Sequence, residues 1–110
     1  MIDRTSLVAA LDACGMPWAL NQWGRDERPD PPYAVLVPID SADFFADGAP
    51  FLLRTTYEVQ LWAERRDAAA EGRVEAALRG QGIGWSARSF DWVESEQMSV
   101  AAWAVTVLGL

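Results

Sequence analysis

Between Leu53 and Trp62 the chain alternates without a break: Leu53, Thr55, Tyr57, Val59 and Leu61 fall on one side, and Arg54, Thr56, Glu58, Gln60 and Trp62 on the other. A period of two is the mark of a strand with one face in a core and the other in water or against a partner. No helix gathers either set on one side, so this run commits the chain to a sheet. The rest of the sequence must then supply neighbours for this strand and a layer that covers its apolar face.

Residues 33–39 read Tyr-Ala-Val-Leu-Val-Pro-Ile, apolar on both faces, as expected of a strand covered on both sides and ending near Pro38. Residues 83–92 and 98–108 predict two further strands around a turn at Glu94-Ser95-Glu96, and residues 18–23 a short first strand. A turn-rich stretch over 40–50 contains Ala46-Asp47-Gly48, whose Asp-Gly pair suits a tight turn between strands. The tract 24–32, rich in proline and charge, reads as a solvated connector.

Two helices complete the pattern. Asp3 caps the first, with Leu7, Val8, Leu11 and Cys14 on one stripe, Ile2 and Leu7 placed for a hydrophobic staple, and Gly15 as the left-handed stop before Pro17. Asp67 caps the second, where Ala70, Val74, Ala77 and Leu78 form the buried stripe and Gly80 or Gly82 ends it. Glu71, Arg73, Glu75 and Arg79 are expected on its solvated outer face. The prediction is one α+β domain over residues 1–110: a mainly antiparallel sheet of four to five strands with two helices packed on one face.

Charge narrows the function. Nine basic residues, all Arg, stand against sixteen acidic ones, a formal net charge of −7, and there is no His. A protein that grips DNA by neutralising phosphate needs the opposite balance, and the commonest general base and metal ligand is missing. The excess is spread: residues 1–32 carry −2, 33–63 carry −3, 64–80 carry 0 and 81–110 carry −2. It therefore belongs to strands and loops and not to an acidic tail. The single Cys14 cannot form an internal disulfide, the N-terminus has Asp3 where a secretion signal carries positive charge, and the uncharged run 97–110 is shorter than the roughly 20 residues that span a bilayer. A soluble, cytoplasmic chain without membrane contact is expected.

No catalytic, cofactor or metal site is predicted. Asp91, Glu94 and Glu96 form the closest carboxylate cluster, but nothing resembles a calcium loop, and Gly80, Gly82 and Gly84 follow a helix where a phosphate loop would precede one. Six tryptophans are the second anomaly. Core burial is the plain expectation for Trp85 and Trp103, and a sugar-binding platform is the competing use of such rings. Trp62, on the polar side of the alternating strand, is a candidate contact residue together with Phe44 and Phe45 of the long loop. The last strand is apolar on both sides, with Val100, Ala102 and Ala104 facing away from Ala101, Trp103, Val105 and Val107, which calls for a partner subunit over the second face. The candidate interface set is Phe44, Phe45, Asp47, Arg54, Glu58, Trp62, Glu94, Glu96 and Trp103.

The order of these pieces resembles the small tail-terminator, or tail-completion and head-tail joining, proteins of long-tailed bacteriophages and prophages. The landmarks are the first helix running into Gly15-Met16-Pro17-Trp18-Ala19, the connector into Pro32-Tyr33-Ala34-Val35, Phe45-Ala46-Asp47-Gly48, and Tyr57-Glu58-Val59-Gln60-Leu61-Trp62 with Arg66-Asp67. The helix with Val74-Glu75-Ala76-Ala77-Leu78 and then Val93-Glu94-Ser95-Glu96 follow. The chain departs from commoner members in being Arg-only, Ala-rich and Trp-rich.

The resemblance implies a non-enzymatic virion protein without cofactors, made in the host cytoplasm. It would form a ring, generally a homohexamer, that caps the tail tube at its head-proximal end, touching the major tail tube protein on one rim and a head-tail connector protein on the other. DNA would pass through the lumen without specific binding, and an acidic wall, with Glu58 as a contributor, would repel its phosphates. The alternative reading is a small acidic inhibitor or DNA-mimicking protein that binds a basic enzyme.

Overall fold

The structure is a computed structural model and describes residues 3–24, 26–46 and 49–108; over 40–46, 49–54 and at 108 the description is of the backbone. The element order is α1 (Arg4–Ala13), β1 (Trp18–Leu20), β2 (Tyr33–Ala46), β3 (Ala49–Ala63), α2 (Ala68–Gly80), β4 (Ala87–Val93) and β5 (Met98–Leu108). The strands form one five-stranded sheet in the order β1-β2-β3-β5-β4. Every pair is antiparallel except β1 with β2, which run parallel. The fold is therefore α+β with a mainly antiparallel sheet, as the patterning predicts.

Both helices begin where short acidic side chains satisfy free backbone donors. The Asp3 carboxylate accepts from the Ser6 N–H at 3.0 Å, and Asp67 accepts from the Ala70 N–H at 3.0 Å. Gly15, at φ 78°, takes the left-handed turn after α1 that a side chain would resist. The buried stripe of α1 is Leu7, Ala10 and Leu11; Val8 lies at the rim and is half-buried. The staple expected between Ile2 and Leu7 lies outside the described residues.

The core sits between the two helices and one sheet face. Leu7, Leu11, Val74 and Leu78 meet Leu36, Tyr57, Val59, Leu61, Trp103, Val105 and Val107, all almost fully buried. The alternation of β3 is observed: Thr55, Tyr57, Val59 and Leu61 are buried, while Thr56, Glu58, Gln60 and Trp62 are half-buried on the other side. Beneath that second face a smaller apolar cluster joins Tyr33, Val35 and Met98 to Trp23 of the connector, so β2 is covered on both sides at its start.

The structure corrects three boundaries. First, β2 does not stop near Pro38. A register shift between Pro38 and Asp40 absorbs the proline as an irregularity, and pairing with β3 then continues to Ala46 opposite Ala49. The expected loop over 40–50 is thus mostly the arm of a long hairpin; the Asp47-Gly48 turn itself lies outside the described residues. Second, β4 begins at Ala87 and not at Ile83. Ile83 is buried and Trp85 partly buried, both packed against the core from the loop that follows α2. Third, residues 21–23 fall outside the first strand, which ends at Leu20.

Candidate functional site

Two surfaces carry the unusual chemistry of this chain, one at the β4 edge of the helix-covered face and one on the open face of the sheet. Pairing assigns the faces, because directly opposed residues on neighbouring strands point the same way. Arg88 pairs with Trp103 and Phe90 with Ala101, so Arg88, Phe90 and Trp92 stand on the helix side. The helices do not reach far enough to cover them: Phe90 is 40% and Trp92 52% exposed.

A charged cluster fills the step between α2 and β4. The Glu71 carboxylate, 5% exposed, accepts from Arg66 Nε at 3.3 Å and from Arg88 Nη2 at 3.2 Å. Arg88 Nη1 reaches Glu75 Oε2 at 3.0 Å, and the same oxygen accepts from the Trp103 indole N–H at 2.9 Å. Arg66 and Arg88 also stack on the Phe90 ring, with guanidinium carbons 3.8 and 4.7 Å from its centre. Glu71 and Glu75 therefore point inward, against the expectation of a solvated outer face. They lie one turn apart beside the apolar stripe of α2, and their burial is made tolerable by the arginines and the indole. Beside this cluster Arg65, Arg66, Phe90, Trp92 and Ala101 line a groove of about 350 Å³.

The opposite face of the sheet has no layer of helices. Its described side chains on β3, β4 and β5 include Thr56, Glu58, Gln60, Ser89, Asp91, Ala102 and Ala104. Among these described side chains Glu58 and Asp91 are the charged ones, both acidic; Arg54 holds a position of the same parity on β3, where the description is of the backbone. Along β3 the Trp62 indole N–H donates to Gln60 Oε1 at 3.1 Å, and Gln60 Nε2 donates to Glu58 Oε1 at 2.7 Å. At one end Trp23, Arg28, Tyr33, Gln60, Trp62 and Glu96 border a groove of about 400 Å³. The Trp23 and Tyr33 rings meet edge to face with centres 5.8 Å apart. Burial pushes the Tyr33 phenol above its ordinary value, while the neighbouring Glu96 carboxylate holds the Arg28 guanidinium more firmly protonated.

The predicted contact residues scatter over these surfaces. Trp62 and Glu58 lie on the open face. Glu96 pairs with Arg28 at 2.8 Å, and Glu94 accepts from the Trp92 indole at 2.7 Å and from Gln97 Nε2 at 3.2 Å. Glu94 and Glu96 thus serve separate partners, and among the described residues no group of three or more metal-ligating side chains gathers. Trp103 is a correction: it is fully buried, its ring under α2 and its N–H held by Glu75, so it offers nothing to a partner. Phe44 and Phe45 belong to the arm of β2 and Arg54 to β3, where the description is of the backbone; Asp47 lies outside the described residues.

Residues that the spacing did not point to are Arg88, Phe90 and Trp92. A signal existed in the alternation of residues 88–93, Arg-Ser-Phe-Asp-Trp-Val, which places three long side chains on one side. No helix among the described residues is long and apolar enough to cross a membrane. No protein-family model matches the chain, and no curated protein matches it.

Proposed function

We propose that this chain is a structural subunit of a ring, a tail terminator that caps the head-proximal end of a phage tail tube and joins it to the head connector, without a catalytic step. The observation that carries this reading is the open face of the sheet: a surface without a layer of helices whose described charges on β3, β4 and β5, Glu58 and Asp91, are both acidic. A wall of that kind suits a channel through which DNA slides. Like charge repels phosphate over roughly a Debye length of about 8 Å.

The order of landmarks along the sequence supports the same reading, as does the presence of two unlike uncovered surfaces on one subunit, which is what a head-to-tail ring requires. On this reading the subunit is a homohexamer in the virion, at the head-tail junction, with the major tail tube protein on one rim and a connector protein on the other.

The test is genetic and microscopic. Removing the gene from the phage or prophage that carries it should leave filled heads unjoined to tails, with tubes of irregular length, and a tagged subunit should label the head-tail junction of intact virions. Normal virions without the protein would overturn the reading, and a soluble monomer that captures a basic enzyme would favour the acidic inhibitor instead.

A further inference from the structure

We propose that the β2–β3 arm of one subunit lies along the free edge of β4 of a second copy, its acidic and apolar residues against the arginine-lined groove beside Phe90. The inference rests on the ring reading and specifies its subunit contact.

The edge comes first. In the order β1-β2-β3-β5-β4 the strand β4 pairs on one side only, its seven residues contain no proline and no lysine, and its inward charge, Arg88, is already neutralised by Glu71 and Glu75. Beside it Phe90 and Trp92 are exposed, and Arg65 and Arg66 line the groove. Glu71 is already held by Arg66 and Arg88, whereas Arg65 is exposed and pairs with no described carboxylate.

The occupant is drawn from the same chain. Pairing of β3 with β5 begins at Arg54, so among the described residues 43–46 and 49–53 pair only with each other, while 40–42 lie opposite 54–56 at the base of the arm. A two-stranded ribbon is marginal in water and needs support from a further strand or layer. The radius of gyration, 14.8 Å, exceeds the roughly 13 Å of a compact chain of this length, as a projecting arm requires. Residues 40–53 contain three Asp, three Phe and two Leu and no basic residue. That composition complements exposed arginines beside exposed aromatic rings. Residues 40–46 also match β4 in length. Because the arm and the edge are different patches, their contact is heterologous, the kind that builds a ring when its rotation closes.

Disulfide trapping tests this on the full chain. In a Cys14→Ser background, Ser89→Cys on β4 is combined with Asp43→Cys on the arm, and with Ala42→Cys to allow for register; the oxidised proteins are read on non-reducing gels and by electron microscopy. The double variant should give a covalent ladder rising to the ring number, and neither single variant should. Arg65→Glu should slow ladder formation several-fold at low salt, with Arg73→Glu on the outer side of α2 as the unaffected control. Dimers from Ser89→Cys alone would show that β4 pairs with β4 about a twofold axis and would overturn the proposal. Rings without a ladder would overturn the arm contact and leave the ring standing. Absence of both would overturn the two together.

Discussion

The indole N–H of Trp103 donates to Glu75 Oε2 at 2.9 Å, joining the largest fully buried side chain of the sheet to a carboxylate on α2. The bond fixes how the helix lies on the strand, because the same oxygen also receives Arg88 from β4 at 3.0 Å. Three elements are registered through one atom.

Glu75→Ala should therefore cost more than an ordinary helix-surface change. It leaves a buried indole donor unpaired, which costs about 1–3 kcal/mol. Glu75→Gln keeps an acceptor for the indole and should recover most of the loss. Urea unfolding followed by tryptophan fluorescence measures both, and equal stability of the Ala and Gln variants would show that the indole bond contributes nothing.

Glu71 tests the neighbouring pair of arginines. Its carboxylate is 5% exposed, but the Arg66 and Arg88 side chains are 60% and 37% exposed, so water relieves much of the charge left behind when it is removed. Glu71→Ala should cost about 1–2 kcal/mol, below the loss seen for a wholly buried pair. Glu71→Gln should lie between that variant and the parent. A loss that vanishes in both variants would mean that the cluster is set by packing alone.

The cap of α1 gives a pH signature. The Ser6 N–H holds the Asp3 carboxyl below its ordinary value. A depressed native value means that the unfolded chain takes up the proton first as pH falls, so the cap contributes fully above the ordinary carboxylate range near about 4 and fades below it. The difference in melting temperature between the parent and Asp3→Ala should be present at neutral pH and shrink in acid. A difference that stays constant across that range would contradict the capping account.

The acidic open face makes a prediction about DNA. Purified parent protein should not retard duplex DNA at physiological salt, while Glu58→Arg with Asp91→Arg should retard it, with a salt dependence that marks phosphate contact. Both residues sit on the uncovered face and away from the core, so the variant should fold, which circular dichroism checks. Retardation by the parent protein would be incompatible with a wall that lets DNA slide.

Local signals made much of the fold legible. The alternation of β3, the Asp3 and Asp67 caps and the Gly15 stop each depend on a few neighbouring residues, and each appears where the spacing puts it. The arm was not legible, because Pro38, Asp40, Ser41 and Asp43 disfavour a strand locally and only the partner across the hairpin keeps them extended. Nor was the inward turn of Glu71 and Glu75, whose partner Arg88 is thirteen or more residues away in sequence and arrives only when β4 pairs with β5. The same long-range pairing moved Trp103 from the candidate contacts to the core. Charge and strand patterning reached the open face, with Glu58 and Trp62; the groove beside Phe90 needed the tertiary structure.

The central claim is that copies of this chain close into a ring around an open channel. Electron microscopy of the purified protein, with its mass measured by light scattering on the same sample, tests that most directly. The account predicts closed rings, six subunits in each, with a lumen wide enough for duplex DNA. A sample that stays a monomer, or stops at a twofold dimer, up to high micromolar concentration would contradict it.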